Sequence, residues 1–162
     1  MRRKLDEKHT IIETPHYPYR EQKIHKAKHK AILGIGGNIG DVCRRFERLY
    51  WYLKRSRYLT LLESSPILKN PPFGVVEQDD FYNAILVVET SLTPRGLLQY
   101  ILRVERLFGR KRGIPNGDRT LDIDIIFYDD ITMNSKELTI PHPEWIYRDS
   151  VVIPLQMIKG RR

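Results

Sequence analysis

An α+β fold with a ferredoxin-like βαββαβ core and an antiparallel sheet is predicted by three observations. Two segments repeat their apolar residues at helical spacing, and each follows an apolar strand-like run. Residues 81–90 are apolar on both faces, the mark of a central strand. Residues 118–128 read as a strand that carries two aspartates among Leu121, Ile123, Ile125, Ile126 and Phe127. The resulting order, strand-helix-strand-strand-helix-strand, is the split βαβ plan, which puts both helices on one face of the sheet. Further C-terminal segments are then needed to cover the other face.

The elements follow in order. Ala31–Ile35 is a short buried strand, and Gly36-Gly-Asn-Ile-Gly40 a glycine-rich turn with Asp41 as N-cap. Val42, Phe46, Leu49, Tyr50 and Leu53 mark the first helix. Tyr58–Leu62 is the second strand. Pro66 to Gln78, proline-rich throughout, is expected to be a long functional loop. Thr93-Pro94 starts the second helix, with proline at its first position. Leu97, Leu98, Ile101, Val104 and Phe108 line its inner side, and Gly109 stops it. Residues 110–118 form a basic loop and 129–136 a turn region. Residues 138–142 lead into a final segment around Val151–Leu155.

The 162 residues suffice for one domain with a proper core. A single cysteine, Cys43, excludes an internal disulfide and fits a reducing compartment. No apolar run reaches the ~20 residues of a membrane span, and the basic N-terminus lacks the apolar stretch of a secretory signal. A cytoplasmic enzyme is expected, with no membrane partner. The net charge of +8 is concentrated at the N-terminus, where residues 1–30 hold nine Lys/Arg against four Asp/Glu. Residues 1–29 are expected to be a solvated, partly disordered basic extension, and 30–162 the folded domain. The leader histidines His9, His16, His25 and His29 lack metal-ligand spacing and receive no role.

The chemistry concentrates on Asp122 and Asp124. Residues two apart in a strand point the same way, at about 6–7 Å. Two such anions resist ionising together unless a cation lies between them. Oxygen donors suit Mg²⁺, which also binds substrate phosphates. Arg110, Lys111, Arg112 and Arg119 lie just upstream, bases suited to those phosphates. The glycine turn fits neither the dinucleotide fingerprint nor the P-loop, since Ile39 replaces a required glycine and no Lys-Ser or Lys-Thr follows. Phe81 and Asn83 share a face and offer a ring and an amide for a flat heterocycle. Pro141-His142-Pro143 holds a histidine between rigid residues, placed for a phosphate or a proton. Arg148 offers a further phosphate contact.

Taken together, these motifs resemble one family. Gly36-Gly-Asn-Ile-Gly-Asp41, Pro71-Pro-Phe-Gly74, Phe81-Tyr-Asn83, Gly109-Arg110, Asp118-Arg-Thr-Leu-Asp-Ile-Asp124, Pro141-His-Pro143 and Pro154-Leu155 occur in the order found in the 6-hydroxymethyl-7,8-dihydropterin pyrophosphokinases of folate biosynthesis. The resemblance runs from about Lys30 to Met157. It implies transfer of pyrophosphate from ATP to the pterin hydroxymethyl group, leaving AMP, with two Mg²⁺ ions. By position it makes Asp122 and Asp124 the metal ligands. Arg110, Arg112, Arg119 and Arg148 become phosphate contacts with His142 beside them, and Arg110, Arg119, Asp124 and His142 serve catalysis. Glu105 and Thr139 would lie near the nucleotide, and Asn70, Pro71, Phe73, Phe81 and Asn83 would line the pterin pocket. A monomer with ATP and the pterin as partners, and no nucleic acid, is expected.

Three positions depart from the family pattern. Gly37 stands where serine is usual, and Pro115 and Asn116 where some members carry tryptophan. Ser150 stands where many carry an aromatic residue, and Trp145 and Tyr147 are the aromatics nearby. Two rivals come from other classes: a ligand-binding or regulatory domain without turnover, and a nucleic-acid-binding module on the same plan. Such modules put aromatics on central strands, where this chain puts Asp122 and Asp124, which repel phosphate without a metal.

Overall fold

The glycine turn and the two capped helices divide the chain into alternating strands and helices. The computed structural model describes residues 1–21, 29–71, 80–109 and 120–159. Three short strands come first: β1 (Arg2–Lys4), β2 (Thr10–Ile12) and β3 (Tyr19–Arg20). Then follow β4 (His29–Gly37), α1 (Val42–Lys54), β5 (Leu59–Ser64), β6 (Ile67–Asn70), β7 (Phe81–Thr90), α2 (Pro94–Leu107) and β8 (Asp122–Tyr128). A small pair, β9 (Met133–Asn134) and β10 (Thr139–Ile140), precedes a 3-10 turn at Trp145–Tyr147 and α3 (Asp149–Lys159).

Both predicted helix starts hold. The Asp41 carboxylate accepts the Arg44 amide at 3.1 Å, and the Thr93 hydroxyl accepts the Gly96 amide at the same distance. Gly109, at φ +86°, takes the left-handed conformation expected beyond the end of α2. Helix α1 buries Val42, Phe46, Leu49, Tyr50 and Leu53, and α2 buries Leu97, Tyr100, Ile101 and Val104. These side chains share one apolar cluster with Ala31, Leu33, Ile35, Ala84, Leu86, Val88, Ile123 and Ile125. Truncating Phe46 to alanine there would cost about 3–5 kcal/mol.

The large sheet runs β1-β2-β6-β7-β4-β8, with β5 beside β7 and β3 beside β5. Every pairing is antiparallel. The predicted central strand, β7, lies between β4 and the β5–β6 pair. Residues of β7 alternate faces: Ala84, Leu86 and Val88 meet α1 and α2, while Ile85 and Val87 meet Val151, Leu155 and Ile158 of α3. The final segment is therefore a helix that covers the second face, as the element order required.

Two expectations need correction. Residues 67–70 are expected in a loop but form β6, because Ile67 and Leu68 are fully buried and only Ser65 and Pro66 separate them from β5. Ordered structure also begins well before Lys30. The β1–β2 hairpin extends the sheet beyond β6, and Ile11, Ile12 and Tyr17 enter the core. A solvated leader is thus not what residues 1–21 form, because three large apolar side chains outweigh the local charge. Their histidines, expected to have no role, lock this arm in place. His16 stacks on Tyr50 at 3.8 Å and meets Glu47 at 2.7 Å. His9 lies between Asp6, at 2.9 Å, and Asp149 at the start of α3, at 3.4 Å. His29 meets Asp129 at 2.7 Å. His25 lies outside the described residues.

Candidate functional site

The face of the sheet that carries α3 also carries the predicted polar residues. Ile123 and Ile125 point into the α1–α2 cluster, so strand alternation turns Asp122 and Asp124 to the other face. The same alternation turns Phe81 and Asn83 that way, since Ala84 and Leu86 face the helices. Register then brings the motifs into line. Gly36 of β4 pairs with Asn83 on one side and Asp122 on the other. One step along, Gly34 pairs with Ile85 and Asp124.

Glycine at 36 leaves room that the site uses. A Cβ on this residue would meet Asn83 Oδ1 at 2.5 Å, so the amide can lie over β4 only because no side chain is there. Asn83 Nδ2 donates to Asn70 Oδ1 at 3.0 Å, and Asn70 Nδ2 donates to the Pro71 carbonyl at 3.3 Å. Asn70 in turn pairs with Phe81 in the sheet. Four of the predicted pterin residues, Asn70, Pro71, Phe81 and Asn83, are therefore one contiguous group. Phe73 lies outside the described residues.

On the other flank, Asp122 is half-buried and Asp124 exposed. Between them the Ile123 amide donates to Glu105 Oε2 at 2.7 Å. Glu105 is 2 % exposed, so α2 inserts a carboxylate against the start of β8. Its observed work is to satisfy a buried backbone amide. Thr139 belongs to β10, which pairs with β9 and packs against β8.

His142 is tied to the same strand. Its amide donates to the Ile126 carbonyl at 3.0 Å, two residues beyond Asp124. Its Nδ1 accepts the Glu144 amide at 3.3 Å, which leaves Nε2 as the ring nitrogen able to donate. Arg148 is exposed and donates to Glu144 Oε2 at 2.8 Å. That guanidinium holds the Glu144 carboxyl below its ordinary range. Trp145 packs its edge on Phe127 at 5.0 Å, whereas Tyr147 is 86 % exposed. Arg110, Arg112 and Arg119 lie outside the described residues.

One contributor escapes the sequence reading. Arg45 of α1 donates through Nη1 to the Ile39 carbonyl at 2.6 Å and to the Thr120 carbonyl at 3.0 Å. It fastens the glycine turn to the residue entering β8, and so sets Gly36 beside Asp122. Burial lowers its pKa. An arginine on a largely basic helix gives no sign of this in the sequence.

The donor set fits magnesium as a partly protein-bound ion. Among the described residues no group of three His, Cys, Asp or Glu side chains could hold a metal alone. Two carboxylates on one strand face, beside glycines with no side chain, match an ion that keeps waters and takes phosphate oxygens.

Comparison with known proteins places the chain in a family. The sequence model of the family described as 7,8-dihydro-6-hydroxymethylpterin-pyrophosphokinase matches residues 32–160. The chain is 36 % identical over 149 residues to the 2-amino-4-hydroxy-6-hydroxymethyldihydropteridine pyrophosphokinase of Helicobacter pylori, covering 91 % of each protein. It is 37 % identical to the Campylobacter jejuni protein of the same name over 142 residues, 88 % of this chain and 90 % of that one. The Aquifex aeolicus protein of that name is 37 % identical over 131 residues, 78 % of each. The chain belongs to the 7,8-dihydro-6-hydroxymethylpterin-pyrophosphokinase family.

Proposed function

We propose that this chain transfers the pyrophosphoryl group of ATP to the hydroxymethyl group of 6-hydroxymethyl-7,8-dihydropterin, forming the pterin diphosphate and AMP in a Mg²⁺-dependent reaction. Family membership makes it an ATP-dependent diphosphotransferase of folate biosynthesis. The observation that carries the substrate assignment is the row Asn83–Gly36–Asp122, which sets an amide for a heterocycle directly across one strand from a carboxylate for a cation.

The pterin is assigned to Asn70, Pro71, Phe81 and Asn83, and Phe73 is assigned to it with them. The Asn83 and Asn70 amides supply donors and acceptors to its ring edge, and Phe81 supplies an apolar face. Asp122 and Asp124 would hold two magnesium ions. Magnesium held there would supply positive charge against the phosphates. The His142 Nε2–H donates to a phosphate oxygen. We assign Arg110, Arg112 and Arg119 to the triphosphate, and Glu105 and Thr139 to the nucleotide. Arg148 exchanges Glu144 for phosphate, which is easily done because an exposed ion pair contributes only about 0–1 kcal/mol.

Catalysis of this kind depends on positioning and charge stabilisation. The pterin hydroxyl oxygen attacks the β-phosphorus in line, its proton is lost, and the bond to the α-phosphate oxygen breaks. The sheet supplies rigidity: Asn83, Gly36 and Asp122 sit on adjacent hydrogen-bonded strands, so the acceptor and donor sites cannot drift independently.

The strand order β5–β7–β4–β8, with α1 and α2 on one face, supports a ferredoxin-like βαββαβ core. We assign residues 30–162 to the pyrophosphokinase domain and 1–29 to its N-terminal extension. We also assign a monomer in the cytoplasm with no nucleic-acid or membrane partner; no helix among the described residues is long and apolar enough to cross a membrane. The test is product analysis. ATP, Mg²⁺ and the pterin should give AMP and pterin diphosphate in equal amounts. ADP as the nucleotide product would overturn the assignment.

A further inference from the structure

A second cluster of aromatic and cationic side chains lies at the far end of the sheet. Strand β4 runs from His29, beside Thr90, to Gly36, beside Asp122. At about 3.3 Å per residue these ends are about 23 Å apart. At the His29 end the Thr90 hydroxyl donates to the Tyr58 carbonyl at 2.6 Å. There Arg55, Ser56, Arg57 and Tyr58, between α1 and β5, meet Tyr100 and Arg103 of α2 around a cavity of about 430 Å³. None of these residues takes part in the catalytic reading.

We propose that this cavity is a second binding site, for a small ligand that joins a flat ring to a phosphate. A nucleoside monophosphate is of that class, and the volume falls within the range of small-molecule pockets, about 300–1,000 Å³. Three features carry the proposal. The first is uncompensated charge: among the described residues no carboxylate pairs with Arg55, Arg57 or Arg103, and no acceptor takes their guanidinium protons. Three cations around one cavity repel one another, and a bound anion relieves that repulsion.

The second feature is placement. The Arg103 guanidinium carbon lies 5.7 Å from the centroid of the Tyr58 ring and 6.0 Å from that of Tyr100. Cation–π contact at this range holds the guanidinium beside the rings, where its N–H groups can bind a phosphate in two-pronged fashion. The third is a rigid aromatic wall. The Tyr100 hydroxyl donates to Ser56 Oγ at 2.7 Å, and the Tyr58 amide donates to the same oxygen at 3.1 Å. The Tyr58 and Tyr100 rings stand 5.2 Å apart, and Tyr58 is 40 % exposed. A ligand ring can stack on Tyr58 without any rearrangement of the wall.

Calorimetric titration of the full chain with AMP, at low salt and with EDTA present, tests this. AMP should bind, and should bind more tightly than adenosine or inorganic phosphate alone. The Arg57→Ala/Arg103→Ala double variant should lose at least tenfold in AMP affinity while its pyrophosphoryl transfer stays within twofold of wild type. Arg55→Ala/Arg57→Ala, confined to the exposed turn, should weaken AMP in the same direction. Arg148→Ala should leave unchanged the component of AMP binding that the double variants lose. Absence of AMP binding, or binding lost with Arg148→Ala and kept in the double variants, would overturn the proposal. Phosphate binding as tightly as AMP would overturn its aromatic half.

Discussion

Gly36 and Asn83 are paired across β4 and β7 so closely that a single added carbon on residue 36 would stand 2.5 Å from the Asn83 amide oxygen. The glycine is therefore a packing requirement of the site. It lets an amide from the neighbouring strand lie across β4, within one strand of Asp122, while holding Asn70 at 3.0 Å.

Gly36→Ala should therefore act on the pterin and spare the nucleotide. The Asn83 amide must rotate away, which breaks its bond to Asn70. Pterin affinity should fall about tenfold, equivalent to ~1.4 kcal/mol, with ATP affinity changed less than twofold. Titration of each substrate separately checks this. Equal weakening of both would show that the alanine disturbs the whole site.

Arg45→Ala should loosen the glycine turn. Two charge-assisted hydrogen bonds, to Ile39 and Thr120, disappear together. Urea unfolding should show a loss of about 1–3 kcal/mol. Activity should fall with it, because the turn fixes the approach of Gly36 to β8. Unchanged stability would mean that other contacts hold this turn.

The N-terminal arm predicts a pH dependence. Burial raises the Glu47 pKa, but hydrogen bonds from the His16 ring, the Thr14 hydroxyl and the His16 amide outweigh it, so the carboxyl is held below the ordinary glutamate range. A depressed pKa contributes stability that is fully present above the unfolded value of about 4.3 and is lost as pH falls through the lower folded value. Glu47→Gln should thus be less stable than wild type at pH 5.5 by about 1–3 kcal/mol. The gap should narrow steadily as pH drops below about 4.3. A gap independent of pH between 5.5 and 3 would remove Glu47 from the role of clamp.

Local rules made some of this architecture readable and hid the rest. Asp41, Thr93-Pro94 and Gly109 act through hydrogen bonds and backbone preferences within a few residues, so their helix boundaries were visible in the sequence. The alternation of Asp122 and Asp124 with Ile123 and Ile125 was visible for the same reason. Strand β6 was not, because Pro66 and the prolines after Asn70 mask a two-residue apolar core, Ile67-Leu68, that pairs only through β7 and β2. The arm was missed because its charge is local, while the burial of Tyr17 depends on Phe46, 29 residues away, whose carbonyl accepts the Tyr17 hydroxyl at 2.9 Å. Arg45 and Glu105 act on backbone groups distant in sequence, Thr120 and Ile123, which no spacing rule connects to them.

The aspartate pair is best tested by steady-state AMP formation from ATP, Mg²⁺ and the pterin, measured for wild type, Asp122→Ala and Asp124→Ala with circular dichroism as the fold control. Wild type should release AMP only when the pterin is present. Each variant should keep its fold, since neither side chain enters the apolar clusters, and should lose turnover by at least a thousandfold, about 4 kcal/mol in the barrier. A folded variant that still forms AMP at near the wild-type rate would contradict the assignment of this pair to the catalytic metals.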